Sequence, residues 1–259
     1  KLLIFLGFME TKKHTNGLVI INGSTRGLGL SLVSELIKQN SFDIICLVRN
    51  EKSISGLLEF NDKVIIKECD YSSLESISSM NDFFEKTFKN YKGKVYYINN
   101  LSITSPIGKI GALRDEDILE NITVNFSSNL IIINSFLKHV EITSNINILN
   151  ISSGISQNPV AGIGLYGMAK NFIDYLTKTI KIENKEINVA SFYPGGMDTK
   201  MQKDLQKEII ENEGLKEFDY SSIFNQKLSD TEYIAKIIIS NFLLKKVGWE
   251  KLISKIYEY

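Results

Sequence analysis

The sequence has few residues of the kinds that build metal sites and disulfide frameworks. Its 259 residues include two cysteines and two histidines. Cys46 and Cys69 lie in separate apolar runs, which is typical of reduced cysteine in a protein core. His14 and His139 are far apart and show no ligand spacing, so the sequence predicts no metal site.

The chain also lacks an excess of either charge. Its 30 Lys and Arg residues balance 30 Asp and Glu residues, which gives a formal net charge of zero. This balance indicates no basic face, so we do not expect nucleic acid as a partner.

No apolar run is long enough to cross a membrane. The opening apolar segment, 1–8, is far shorter than the roughly 20 residues a spanning helix needs. It also lacks a small-residue cleavage site before the polar stretch that follows it. We therefore expect residues 1–16 to be an N-terminal tail, either a docking tail or an extension ahead of Met9. The composition of 17–259 fits one globular domain in a soluble, cytoplasmic protein without membrane contact.

Apolar runs alternate with helical patterns along most of the chain, and each run has the length of a strand. The predicted strands are 18–22, 43–48, 63–70, 94–100, 146–151, 187–192 and 252–257. Helical patterns cover 28–37, 73–90, 115–139, 166–180 and 231–245. This repeated βαβ order favours a single-domain, doubly wound (Rossmann-like) α/β fold, with a parallel sheet of about seven strands and helices on both faces. The polar stretch 200–230 has a weak helical pattern and is expected to be a mobile flap over the site.

A glycine-rich turn follows the first predicted strand, with the spacing Gly-x-x-x-Gly-x-Gly. Glycines let backbone approach a pyrophosphate, and the following helix start supplies free amides. The pattern predicts a dinucleotide site, although a plain strand-to-helix turn would look the same. Its residues are Gly23, Ser24, Thr25, Arg26, Gly27, Leu28 and Gly29.

The second predicted strand ends at Arg49 and Asn50, where many NAD-binding folds carry an acid. An acid there binds the ribose 2′-hydroxyl of NAD, whereas a basic residue suits the 2′-phosphate of NADP. Arg26 adds a second cation at the neighbouring turn. Surface arginines are common, so only the pair together favours NADP(H) over NAD(H).

A serine, a tyrosine and a lysine are spaced for proton transfer. Tyr166 and Lys170 share a helix face, and Ser153 follows a predicted strand at the edge where α/β sheets bind ligands. A nearby ammonium lowers a tyrosine pKa from its usual value near 10, so Tyr166 would exchange a proton while Ser153 holds the same substrate oxygen. A lone Tyr-x-x-x-Lys also arises by chance on solvated helices.

Taken together, these motifs resemble the short-chain dehydrogenase/reductase family over residues 17–259. The matching features are Gly23-x-x-x-Gly27-x-Gly29, Asp70, Asn99-Asn100, Asn125, Ser153, Tyr166-x-x-x-Lys170 and Pro194-Gly195. Finer features resemble the sepiapterin reductase and benzil reductase branch: Val48-Arg49-Asn50, Asn150-Ile-Ser-Ser153, Gly164-Leu-Tyr166 and the segment from Pro194 to Gln202.

The resemblance implies roles for four catalytic residues. Tyr166 is the general acid, Lys170 lowers its pKa and holds the nicotinamide ribose, and Ser153 orients the carbonyl. Asn125 holds a water in a proton relay that ends at Lys170, although an asparagine in the middle of a helix is also simply tolerated in many proteins. The implied substrate contacts are Ser153, Tyr166 and Gly195. Beyond the glycine turn, the implied cofactor contacts are Arg49, Asn50, Asp70, Tyr71, Asn99, Tyr166, Lys170, Pro194, Gly195, Met197 and Thr199.

The resemblance also implies an NADPH-dependent carbonyl reductase, as a homodimer or homotetramer built through the helices around Asn125 and Lys170. Aligning the C-terminus on pterin-reducing relatives puts Lys255 where they carry an acid. This favours a small aromatic or vicinal dicarbonyl of the benzil type. A slip of three residues onto Glu258 would restore the acid and a sepiapterin substrate. A catalytically silent NADP-binding sensor is the rival of another class.

Two positions depart from the family pattern. Leu101 and Ser102 replace the usual Ala-Gly after the fourth strand, where small residues let backbone approach the cofactor, so affinity for NADPH is expected to suffer. Asn22 replaces the usual threonine before the first glycine. Because the first and fourth strands are neighbours in this fold, we expect the two changes to adjust to each other.

Overall fold

The computed structural model describes residues 16–49, 64–143, 145–245 and 247–259. The predicted tail through residue 15, which includes His14, and the predicted cofactor residue Asn50 lie outside these ranges. The described strands form one parallel sheet in the order β3-β2-β1-β4-β5-β6-β7, which confirms the predicted fold class. They are β1 (Leu18–Asn22), β2 (Asp43–Val48), β3 (Val64–Glu68), β4 (Val95–Asn99), β5 (Ile146–Ile151), β6 (Asn188–Tyr193) and β7 (Ile253–Lys255).

The described α-helices lie on both faces of the sheet. They are α1 (Gly27–Gln39), α2 (Leu74–Ser78), α3 (Met80–Phe88), α4 (Asp115–Ile122), α5 (Ser128–His139), α6 (Gly164–Glu183), α7 (Lys200–Glu211), α8 (Ser221–Phe224) and α9 (Thr231–Ile238). No described helix has both the length and the hydropathy needed to cross a membrane.

The sheet separates two apolar cores because successive strand residues point to opposite faces. In β1, Leu18 and Ile20 pack on one side, whereas Val19 and Ile21 pack on the other. Helices α2, α3, α5 and α6 cover the first side, and α1 and α9 cover the second. These four apolar side chains of β1 are fully buried, so β1 is a central strand.

The strand order reverses between β1 and β4, which are hydrogen-bonded neighbours although β2 and β3 come between them in the sequence. In open α/β sheets this reversal opens a crevice at the carboxyl ends of the strands, where ligands bind. The fold therefore places the glycine turn after β1 beside the segments that follow β4 and β5.

Several predicted elements are interrupted. The predicted helix 73–90 does start at a serine cap, since the Ser73 hydroxyl accepts from the Ser76 amide at 3.3 Å, but it divides at Ser79 into α2 and α3. The predicted helix 115–139 contains a π-helical turn, Thr123–Ser127, between α4 and α5. The helix predicted to reach residue 245 becomes π-helical after α9, at Ile239–Leu244. The last strand is shorter than 252–257 because residues from Ile256 turn into a 3₁₀ helix.

Candidate active site

A cavity of about 580 Å³ lies at the carboxyl ends of the central strands. It brings together most of the residues that the sequence singled out. Those that line it are Gly23, Thr25, Arg26, Gly27, Leu28, Arg49, Tyr71, Ser153, Tyr166, Lys170, Pro194, Gly195, Met197 and Thr199. Ser24, Gly29, Asp70, Asn99 and Asn125 are not among its lining residues.

The glycine turn has the geometry of an anion site. Gly23 (φ 72°) and Gly27 (φ 52°) adopt left-handed backbone that side chains disfavour. At Gly29, a Cβ would lie 2.1 Å from the Gly23 carbonyl oxygen, so a side chain there would force the helix away from the turn. Arg26 precedes α1 without capping it through its side chain, and the first turn carries no acid. The first amide groups of α1 therefore have no side-chain acceptor, which leaves them available to bind a phosphate at this end of the cavity.

Three predicted cofactor residues brace the site from outside the cavity lining. Ser24 is fully buried, and its hydroxyl donates to the Leu47 carbonyl at 3.4 Å. Asp70 accepts from the Ser72 amide at 3.0 Å and from the Ser72 hydroxyl at 2.7 Å. These bonds, with a smaller effect of Arg49, lower the pKa of Asp70. Asn99 bonds to Asn22 and Asn150 on the neighbouring strands and does not line the cavity.

The Tyr71 hydroxyl both lines the cavity and supports the glycine turn. It donates to the Leu47 carbonyl at 2.8 Å and accepts from the Gly23 amide at 3.4 Å. Burial raises the pKa of Tyr71 well above 10, so it remains a neutral donor. Its role in this structure is to fix the turn between β1 and α1.

Ser153, Tyr166 and Lys170 meet at the cavity wall. Ser153 leads out of β5 into a short 3₁₀ turn, Gly154–Ser156, and its hydroxyl accepts from the Ile155 amide at 3.4 Å. Tyr166 lies in the first turn of α6, with Lys170 one turn further on. The Lys170 ammonium lies 5.5 Å from the centre of the Tyr166 ring and donates to the Ile151 carbonyl at 2.9 Å.

The expected lowering of the Tyr166 pKa is wrong. Burial raises the pKa of Tyr166 to about 12, and the Ser153 hydroxyl offsets only part of that rise. Burial lowers the pKa of Lys170 to about 8, while the Asp174 carboxylate acts in the opposite direction. Loss of water therefore outweighs the hydrogen bond from Ser153. At neutral pH Tyr166 is protonated and Lys170 is mostly charged, which is the state a proton donor requires.

Asn125 lies in the π-helical turn, but its side chain points to the loop after β4. Its Oδ1 accepts from the Ile103 amide and its Nδ2 donates to the Ile103 carbonyl, both at 2.9 Å. Its own carbonyl accepts from the Asn129 side chain at 2.8 Å. Asn125 thus clamps the loop that forms one cavity wall, and its relay water remains a prediction.

The two departures from the family pattern do not contact each other through hydrogen bonds. The Asn22 amide donates to Asn99 Oδ1 at 3.1 Å, and the Asn99 amide donates to Asn150 Oδ1 at 3.1 Å. Leu101 packs into the core, and the Ser102 hydroxyl donates to Asn125 Oδ1 at 3.3 Å. Asn22 joins a buried amide row across the sheet, and the expected mutual adjustment remains a prediction.

The segment predicted as a flap folds into α7 and α8 and covers the cavity. It carries its own apolar cluster, which includes Leu205, Leu215 and Ile223. The Tyr220 hydroxyl donates to the Ala161 carbonyl at 3.1 Å, and the Asn212 amide donates to the Ile107 carbonyl at 3.2 Å. These contacts join the segment to two loops at the rim, so it forms a packed wall of the cavity.

Neither C-terminal candidate for a pterin contact lines the cavity. The Lys255 ammonium lies 5.6 Å from the centre of the Tyr257 ring. Glu258 accepts from the Lys255 amide at 3.2 Å and pairs with Lys251 at 3.4 Å. Among the described lining residues the carboxylate is Glu120, on α4.

Sequence reasoning missed several lining residues. Asn100 lines the cavity where Asn99 was expected, and its amide donates to the Gly23 carbonyl at 2.9 Å. Its position directly after β4 was an available sign. Glu120 and Gln226 had none, because the face of α4 and the path of the covering segment depend on tertiary packing.

The charge of the lining favours an anionic ligand. Arg26, Arg49, Lys170 and Lys200 contribute cations, against the carboxylate of Glu120. The arginines lie beside the glycine turn, so the positive charge and the free helix amides act at the same end of the cavity. The described residues contain no group of three His, Cys, Asp or Glu side chains able to hold a metal ion.

Comparison with known proteins agrees with this arrangement. The chain is 26% identical to the benzil reductase ((S)-benzoin forming) of Bacillus cereus over 230 residues, covering 85% of this chain and 91% of that protein. It is 24% identical to the sepiapterin reductase of Xenopus laevis over 198 residues, covering 72% and 75%. A short chain dehydrogenase from Burkholderia cenocepacia, solved in complex with NADP, has a TM-score of 0.72 at 16% identity and covers 95% of this chain and 98% of its own.

The family assignment rests on a match longer than any single motif. A family model described as short chain dehydrogenase matches residues 17–210, which span β1 to α7 and contain the glycine turn, Ser153, Tyr166 and Lys170. The chain therefore belongs to the short chain dehydrogenase family of oxidoreductases.

Proposed function

We propose that this protein is an NADPH-dependent reductase of a small ketone, with Tyr166 as the general acid. The observation that carries the proposal is that Ser153, Tyr166 and Lys170 share one cavity with the glycine turn. A cofactor bound through that turn and a carbonyl held by Ser153 would therefore meet. The relatives described as benzil reductase and the neighbour solved with NADP support the same assignment.

The residues present fit a phosphorylated dinucleotide. The glycine turn offers a cradle that a Cβ at Gly29 would fill, and the start of α1 offers amides to a pyrophosphate. Arg26 and Arg49 are both exposed at this end and suit the 2′-phosphate. The Pro194–Thr199 segment forms the facing wall.

The chemistry divides between cofactor and protein. NADPH, when bound, supplies a hydride. Tyr166, protonated at neutral pH, donates its proton to the carbonyl oxygen, and the Ser153 hydroxyl holds that oxygen in place. Lys170 would stabilise the phenolate that remains on Tyr166 and would hold the nicotinamide ribose. The α7–α8 wall excludes water from the reacting groups.

The apolar lining supports a benzil-type substrate. Beyond the catalytic residues, the cavity lining includes a group of branched aliphatic side chains, namely Ile103, Ile155, Val160, Ile163, Leu205 and Ile223. Such a surface suits an aromatic group attached to a carbonyl or vicinal dicarbonyl. NADPH consumption with a panel of diketones tests the proposal. A wild-type protein that binds NADPH but reduces none of them would instead support a silent NADP-binding sensor.

Glu120 supports a second candidate, sepiapterin reduction. Although Lys255 and Glu258 are outside the cavity lining, Glu120 places a carboxylate within it. A pterin ring presents N–H donors that need a charged acceptor when they lose water. The two substrates therefore differ in whether they use this side chain.

Replacing Glu120 separates the two substrates. If sepiapterin binds through its ring donors, Glu120→Gln should lower kcat/KM for sepiapterin by about tenfold and leave that for benzil within about twofold. The exposed Glu116 on the same helix is the matched control, as Glu116→Gln. Equal effects of Glu120→Gln on both substrates would remove the support for a pterin-binding role.

We further propose a homodimer built on α4, α5 and α6. These helices expose apolar side chains that the core does not use: Leu119, Leu130, Met168, Tyr175 and Ile182. Tyr175 has the largest side chain of the five and is 71% exposed. Light scattering should give twice the chain mass for the wild type and a lower mass for Tyr175→Asp, with Tyr233→Asp on α9 as the control. A monomeric wild type would contradict this proposal.

A further inference from the structure

A buried carboxylate lies one helical turn beyond the catalytic lysine. Asp174 on α6 is 1% exposed, and Lys170 is 4% exposed. The Asp174 Oδ2 atom accepts from the Tyr193 hydroxyl at 2.5 Å, whereas Oδ1 has no hydrogen-bond partner among the described residues. Burying a charge this completely is costly unless another charge compensates it.

Asp174 belongs to a hydrogen-bonded chain that joins three segments of the site. Beyond Asp174, the Tyr193 hydroxyl lies 2.9 Å from the Ser156 hydroxyl, and the Gln157 amide donates to Ser156 at 3.3 Å. Tyr193 directly precedes the Pro194–Gly195 wall, and Ser156 ends the turn that begins after Ser153. Asp174 thus links the lysine helix to the supports of both neighbouring site segments.

Among the described residues, few groups other than Asp174 are placed to stabilise a positive charge on Lys170. On α6, the titratable groups near its ammonium are Tyr166 and Asp174. Its ammonium donates to the neutral Ile151 carbonyl at the end of β5, and at the end of β6 the Tyr193 hydroxyl donates to Asp174. Glu120 on α4 lines the same cavity but is exposed to solvent.

We propose that Asp174 is a positioning residue that keeps Lys170 protonated for the reaction. The inference rests on the proposed function, since it gives Asp174 a role only through Lys170. Side chains four apart on a helix have Cβ atoms about 6 Å apart, and at an effective dielectric near 20 their charges interact strongly enough to move a pKa by roughly 1–2 units. Removing the carboxylate therefore makes Lys170 lose its proton at lower pH.

The test is the pH profile of kcat/KM for a diketone, with NADPH, for wild type and Asp174→Asn. The wild type should lose activity as pH rises through the Lys170 pKa of about 8. For Asp174→Asn this basic limb should move to lower pH by about 1–2 units. The variant should therefore be about tenfold slower than wild type at pH 8 and within about twofold of it at pH 6.

Three further variants separate charge from structure. Asp174→Glu restores the charge and should return the limb towards that of the wild type. Tyr193→Phe keeps the carboxylate but removes the hydroxyl bonded to it, which disfavours the charged form of Asp174, so its limb should move in the same direction as that of Asp174→Asn but by less. Asp174→Ser removes the charge in a smaller side chain, which provides a second charge-free variant beside Asp174→Asn.

The outcomes distinguish the inference from the function on which it rests. An inactive wild type would contradict the proposed function itself. If the wild type is active and kcat/KM of Asp174→Asn falls at the same pH as that of the wild type, only the proposed role of Asp174 would be overturned. Failure of both charge-free variants to fold, judged by circular dichroism, would assign Asp174 a structural role and also count against the inference.

Discussion

Tyr166→Phe should reduce kcat by about a hundredfold to ten-thousandfold, the usual contribution of a positioned general acid. The substitution removes one hydroxyl group and keeps the ring that packs beside Lys170. NADPH affinity should therefore stay within a few-fold of wild type, because the ring makes no charged contact with the cofactor. Single-turnover reduction of a diketone and a separate NADPH titration measure the two quantities.

A matched control for this variant is Tyr220→Phe. Tyr220 is also a tyrosine near the cavity, and it belongs to the covering segment. Its hydroxyl donates to the Ala161 carbonyl in a loop at the rim. Its loss should change kcat by no more than about threefold, since it removes one neutral hydrogen bond of modest net value. If Tyr166→Phe reduced the diketone at near wild-type rate, the proton would come from another group.

NADPH should bind the wild type more tightly than NADH by roughly ten- to a hundredfold, because Arg26 and Arg49 line the cavity and would form charge-assisted bonds to the 2′-phosphate. Arg26→Ala and Arg49→Ala should each reduce that preference, and the double variant should remove most of it. Affinity for NADH should change little, since that cofactor lacks the phosphate. Titrations of both cofactors against each variant give the ratios directly.

The third arginine of the sequence serves as the control for this series. Arg114 precedes α4, pairs with Asp117 at 3.0 Å and does not line the cavity. Arg114→Ala should therefore leave both affinities unchanged. Equal or tighter binding of NADH by the wild type would show that the cations at this end do not bind a phosphate.

The fold was predictable because strand and helix patterns alternate so regularly. The central strands are apolar and short, and a βαβ order permits few topologies. The interruptions at Ser79 and at Thr123–Ser127 were not predictable from periodicity, since both helices keep their apolar spacing across the break. In the second case the reason is tertiary: Asn125 is held by the loop after β4.

Site residues could be predicted where residue types and their spacing indicate one chemistry. They could not be predicted where tertiary packing decides which side chains are buried at the site. Tyr166, Lys170 and Ser153 converge as their spacing suggested. The direction of the Tyr166 pKa shift was wrong because the sequence shows a neighbouring cation but not the extent of burial. No motif marks Asp174, and its proposed role follows from its burial, its bond to Tyr193 and its place one helical turn from Lys170.

The most direct test of the central claim is the transfer of deuterium from the cofactor to the product. Wild-type protein is mixed with benzil and NADPH in which both hydrogens at C4 of the nicotinamide are replaced by deuterium, and the benzoin formed is analysed by mass spectrometry. The proposed reaction predicts one deuterium on the carbinol carbon, present with wild type and absent with Tyr166→Phe because little product forms. Benzoin formed without the label, or no turnover of any diketone by protein that binds NADPH, would contradict it.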